Sequence, residues 1–93
     1  MGKPVQRQGD ANTKGGTING GVNSVLVNGK PIAVAGLNVS PHLPCPIVKS
    51  HCIATTTATS KTVRAGGKPI VLTGGKDTCG DVRAGGSPDV RAV

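Results

Sequence analysis

Both histidines and two of the three cysteines of this 93-residue chain fall between positions 42 and 52: His42, Cys45, His51 and Cys52 in SPHLPCPIVKSHC. The third cysteine is Cys79, in Asp77-Thr78-Cys79-Gly80. His-x-x-Cys is a short ligand spacing of zinc sites, and a distant cysteine closing the sphere is ordinary for a structural metal. Thiolate and neutral imidazole together suit Zn²⁺ best, with Fe²⁺ as the alternative. His51 and Cys52 are adjacent, so in extended backbone they point to opposite faces and only one readily reaches a common ion. The expected donor set is His42, Cys45, His51 and Cys79, with Cys52 as a small buried hydrophobe. Pro41, Pro44 and Pro46 are expected to stiffen the loop that carries the first two donors.

Three other chemistries compete for these residues. A Cys45–Cys52 disulfide would leave Cys79 odd, which is awkward for an oxidised framework. Unpaired core cysteines and histidines need no ion at all. A Cys–His nucleophilic dyad would need a substrate pocket, for which so small and glycine-rich a chain offers little concavity. A catalytic metal would keep an open position and a nearby general base. The only acids are Asp10, Asp77, Asp81 and Asp89, and there is no Glu. A closed structural site is therefore expected, and no enzymatic activity.

Composition explains why a staple is needed. The chain has no Phe, Tyr or Trp, fifteen Gly and seven Pro. Residues 1–93 make one domain at most, and a domain of this size has marginal stability from apolar burial alone. Disorder is the bland reading of such a composition, but the β-branched residues are grouped and repeated rather than scattered. There is no run near the roughly 20 apolar residues of a membrane span and no signal peptide, so synthesis as a soluble cytoplasmic product is expected. The net charge of +7 is dispersed and has no interleaved aromatics for base stacking, so nucleic acid is not the expected partner. The Gly-Gly pairs lack the spacing of phosphate-binding loops and read as turns.

The elements that position these residues follow from a repeat. G-K-P-[VI]-x-x-x-G occurs three times, as Gly2-Lys3-Pro4-Val5 to Gly9, Gly29-Lys30-Pro31-Ile32 to Gly36, and Gly67-Lys68-Pro69-Ile70 to Gly74. Upstream, Val25-Leu26-Val27-Asn28 matches Val63-Arg64-Ala65-Gly66 in position, and VRAGG at 63–67 echoes at 82–86. The second and third copies predict β-hairpins about Asn28-Gly29 and Gly66-Gly67, with the prolines at the start of the return strands. Thr55–Thr62 reads as a half-exposed strand. The fold expected is all-β, of short hairpins around a pseudo-threefold axis. A small barrel or sandwich built by duplication is the alternative. Lys3, Lys30 and Lys68 occupy matching places; solubilising charge just past a turn is the favoured reading, and a contact ring at one height is the alternative.

The hairpins VLVNGKPIAVAG and VRAGGKPIVLTG, with RQGDANTKGG, SPHLPCPIVKSHC, DTCG and RAGGSPDV, make the chain resemble the PAAR-repeat proteins from Arg7 to Val90. The literal Pro-Ala-Ala-Arg signature is absent, since those positions read Pro31-Ile32-Ala33-Val34 and Pro69-Ile70-Val71-Leu72. Many members also place a His before the first Gly-Gly, where this chain has Lys14.

The resemblance implies a cone-like all-β body with zinc held by His and Cys near its apex. It further implies a broad base that binds the blunt end of a trimeric β-helical spike, in a phage tail baseplate or at the tip of a type VI secretion spike. One chain per trimer and contact with a target membrane during piercing are the expected partnerships, and no effector domain is expected beyond Val93. The other reading is a free-standing zinc module that binds nucleic acid or an acidic partner.

Overall fold

Equivalent backbone groups of the three G-K-P repeats bond to one another in closed rings. The N–H of Gln6 donates to the carbonyl of Val71 (2.9 Å), that of Val71 to Ala33 (3.1 Å), and that of Ala33 to Gln6 (3.0 Å). These three residues hold the same place in their repeats and are all at most 1% exposed. Two residues on, Gln8 donates to the carbonyl of Pro31, Ala35 to Pro69 and Thr73 to Pro4, each within 2.9–3.0 Å. The bridges Val5↔Leu72, Arg7↔Ile32 and Val34↔Ile70 obey the same cyclic permutation. Gly9, Gly36 and Gly74 close the repeats with φ of 88°, 87° and 94°. The computed structural model describes residues 2–43 and 45–93, and in it the pseudo-threefold axis is a covalent-chain property rather than an oligomeric one. Pro44, expected to stiffen the metal loop, lies outside the described residues.

Each repeat strand pairs with one antiparallel neighbour. β3 (Val22–Val27) and β4 (Lys30–Ile32) form one hairpin, with a register shift between Val22 and Leu26. β6 (Arg64–Ala65) and β7 (Lys68–Pro69) form another. Their turns take the positive φ that the sequence predicts, 54° and 78° at Asn28-Gly29 and 56° and 80° at Gly66-Gly67. β1 (Lys3–Pro4) has no preceding strand, and β8 (Arg91–Ala92) returns to pair with it. In register, Lys3↔Ala92, Lys30↔Val27 and Lys68↔Ala65 are the same position three times over. The partner of the first repeat is thus Val90-Arg91-Ala92, a copy of Val63-Arg64-Ala65. The expected echo at 82–86 is not a hairpin of this set, because Arg83 turns inward and is 1% exposed. A fourth pair, β2 (Ile18–Asn19) with β5 (Asn38–Val39), joins the connections. Thr55–Thr62, expected as a strand, carries only the bridge Asn38↔Thr55. Its hydroxyls serve turns and strand ends instead, as when Thr56 Oγ1 donates to the Val34 carbonyl at 2.7 Å.

The core is small and aliphatic. Val5, Ile32 and Ile70 hold one ring of equivalent positions, joined by Val27, Val34, Ala65 and Leu72. The first repeat departs from the aliphatic pattern, with Gln6 where the others have Ala33 and Val71, and Arg7 where they have Val34 and Leu72. Arg7 is satisfied in full, and Gln6 through its amide nitrogen only, its Oε1 being buried without a partner among the described residues. Gln6 Nε2 donates to Thr73 Oγ1 and to the Ala84 carbonyl, each at 3.0 Å. Arg7 makes a two-pronged pair with Asp10, Nε to Oδ2 and Nη2 to Oδ1, both at 3.0 Å.

The connections are held by one buried cation. The Arg83 side chain is 0% exposed, and its Nη2 lies 2.9 Å from Asp77 Oδ2. It also donates to the carbonyls of Asp10 (3.1 Å) and Gly16 (2.8 Å), while Asn12 Nδ2 donates to Asp77 Oδ2 at 2.9 Å. The first and third connections are thereby tied where no apolar side chain is large enough to bridge them. Burial pulls the Arg83 guanidinium below its ordinary value, and Asp77 pushes the other way. The body measures 36 × 25 × 22 Å.

Candidate metal centre

The connections that follow Gly36 and Gly74 carry the histidines and cysteines. In the second connection the N–H of His42 donates to the carbonyl of His51 (3.2 Å), which closes the loop between them. A single 3₁₀ turn, Lys49–His51, brings His51 inward. In the third connection Asp77 N–H donates to the Asp81 carbonyl (2.9 Å) and Gly80 N–H to that of Asp77 (2.8 Å), a tight turn that presents Cys79 and Asp81 side by side.

Four side chains converge: His42, His51, Cys79 and Asp81 each offer one ligand atom, all within 4.8 Å of one another. Asp81 Oδ2 lies 2.8 Å from His42 Nε2 and 3.0 Å from His51 Nδ1. His51 Nδ1 and His42 Nε2 are 3.1 Å apart, and Cys79 Sγ is 3.5 Å from both His42 Nε2 and Asp81 Oδ2. Bond lengths of about 2.0–2.3 Å put the donors of a tetrahedral zinc roughly 3.3–3.8 Å apart, so small adjustments would seat an ion.

Proton placement makes the same point. His42 Nδ1 lies 2.8 Å from the Ser40 carbonyl, an acceptor only, so Nδ1 carries a proton and Nε2 is the nitrogen turned to the cluster. Nε2 faces the Asp81 carboxylate and the second imidazole nitrogen. Burial raises the Asp81 carboxyl, but hydrogen bonds from Cys79 and His42 and the nearness of His51 outweigh it and hold the group below its ordinary range. Electron pairs aimed at one another need extra protons or a cation between them, and the donor set fits Zn²⁺ or Fe²⁺. Gly16 backs the ring, since a Cβ there would lie 2.5 Å from His42 Nδ1.

Cys45 leaves the expected donor set. Its sulfur is bonded to that of Cys52 across a Cα–Cα distance of 5.3 Å. The His42–His51 closure brings the two cysteines across from each other, so Cys52 is also not the lone buried hydrophobe expected. The disulfide pins the segment that carries both imidazoles. Asp81 takes the vacated place, and sequence reading passed it over as one acid among four. The local signal was the turn itself, because Cys79 and Asp81 flank Gly80, whose φ of 93° reverses the chain between them.

The Cys79–His42 contact is also the geometry of a nucleophilic dyad. Burial, with the Asp81 and Asp77 charges, pushes the Cys79 thiol up, whereas an activated thiol is held down. The described cavity, about 400 Å³, is lined by Gly2, Lys3, Thr59, Leu72, Ala92 and Val93 and touches none of these groups. A bound ion would take the proton from the thiol.

No curated protein matches the chain. A family model described as the PAAR motif matches residues 1–84, and that family is structural rather than enzymatic. With a match over nearly its whole length, three G-K-P repeats closed into rings and His–Cys chemistry in the connections, the chain belongs to the PAAR-motif family.

Proposed function

We propose that the chain is a non-enzymatic tip that caps the blunt end of a trimeric β-helical spike in a contractile injection machine, a phage tail or a type VI secretion system. The carrying observation is the cyclic permutation of the backbone rings, which lets one chain meet three identical subunits with three near-identical surfaces. Among the described residues the outer strands β3, β6 and β8 each pair with one strand only, which leaves an edge to continue a partner's strands. Around them lie exposed Val25, Leu26, Val90 and Val93, and Leu26, Arg64 and Arg91 hold one position of the three pairs. In the connections, His42, His51, Cys79 and Asp81 would hold a structural metal that ties the second connection to the third. A narrow rigid point for crossing a membrane is the use such a body serves.

The reading is tested by replacing Leu26, Arg64 and Arg91 together with Asp. Loss of about 2 kcal/mol or more at a central interface position weakens capture by the spike at least about thirtyfold, while metal content stays unchanged. Full capture by this variant would count against the base as the docking face. Charge reversal of Lys3, Lys30 and Lys68 separates a contact ring from solvation, because only a contact ring costs capture.

A further inference from the structure

We propose that the loop His42–Ile53 is a lipid-contacting surface that partitions into the interface of an anionic phospholipid bilayer. The chain has only four Leu and five Ile. Three of those nine, Leu43, Ile47 and Ile53, stand in this loop at 75%, 88% and 78% exposure, with Val48 half exposed beside them. A protein this short of apolar area places its largest aliphatic side chains in water at one site, and an exposed cluster of that kind marks an interaction surface.

The chemistry around the cluster selects the occupant. Residues 37–63 contain no carboxylate, and their formal charges are Lys49 and Lys61. Lys49 is exposed within the loop itself. Aliphatic side chains edged by lysine are the composition that inserts into headgroups and attracts acidic lipid. The Trp, Tyr and Arg anchors that dominate protein–protein contacts are absent from the same stretch. The backbone closure His42–His51 and the Cys45–Cys52 bond constrain the residues next to Leu43, Ile47 and Ile53, so less conformational freedom is lost on insertion. The inference goes beyond the capping reading and stands on surface chemistry of its own.

The test is co-sedimentation of the full chain with vesicles of equal parts phosphatidylglycerol and phosphatidylcholine. The charge-neutral pair Ile47→Ser and Ile53→Ser is expected to weaken partitioning by about tenfold or more, with the metal and disulfide content of the parent. Lys49→Glu is expected to weaken it as well, and salt to reduce but not abolish it. Binding by the serine pair equal to that of the parent would reduce the effect to bulk positive charge and overturn the proposal, as would no binding by the parent. Loss of capture by a membrane protein, with vesicle binding unchanged, would assign the loop to a protein receptor and likewise overturn it. The base variant with Asp at 26, 64 and 91 should bind vesicles normally, so failure of the capping reading and failure of this one are separate results.

Discussion

Stripping the metal with a chelator is expected to lower the melting temperature by about 15–30 °C. An ion that binds only the folded chain contributes about 4 kcal/mol when present at a thousandfold excess over its dissociation constant. For a domain of 60–100 residues each kcal/mol moves the midpoint by roughly 4–8 °C. The loss is concentrated in the second and third connections, because His42 and His51 come from one and Cys79 and Asp81 from the other. Cys79→Ser and Asp81→Asn should each reproduce much of the effect and lower metal content. Cys45→Ser should lower stability while leaving one ion per chain, since its sulfur is bonded to Cys52 rather than turned to the cluster. Calorimetry with elemental analysis on the same samples checks all four. A Cys45→Ser protein that folds but carries no metal would return Cys45 to the donor set.

Arg83→Met is expected to cost about 3–5 kcal/mol, measured by denaturant unfolding. The Asp77 carboxylate is 0% exposed and would be left with only Asn12 as a side-chain partner. The carbonyls of Asp10 and Gly16 would lose the guanidinium and keep only the backbone N–H groups of Ile18 and Asn12. Arg83→Lys should recover little, because one ammonium cannot span three acceptors held in the plane of a guanidinium. Pairing Arg83→Met with Asp77→Asn should cost less than the sum of the single changes, the sign of direct coupling. Additive costs would show that the pair is not the tie between the first and third connections.

The repeat made the architecture legible before any coordinates. Asn28-Gly29 and Gly66-Gly67 specify turns that few other residue pairs can adopt, and the shared spacing to Gly36 and Gly74 gives strand length and register. Closure of the first repeat was not legible. Val90-Arg91-Ala92 pairs with Lys3-Pro4 across almost the whole chain, and local pattern carries no information on so distant a partner. The more conspicuous copy, VRAGG at 82–86, is drawn inward by Asp77, so identical residues serve opposite faces. The Thr-rich stretch misled because hydroxyls that cap turns and strand ends resemble, in composition, hydroxyls on a strand. His42, His51 and Cys79 were legible as a cluster. The choice between Cys45 and Asp81 was not, since it depends on which atoms the His42–His51 closure brings across from one another.

The most direct measurement of the central claim is the native mass of the complex with a trimeric β-helical spike. A chain whose threefold symmetry is internal should add its 9.2 kDa once per trimer, even with the tip protein in excess. Three additions per trimer, one on each subunit, would contradict it.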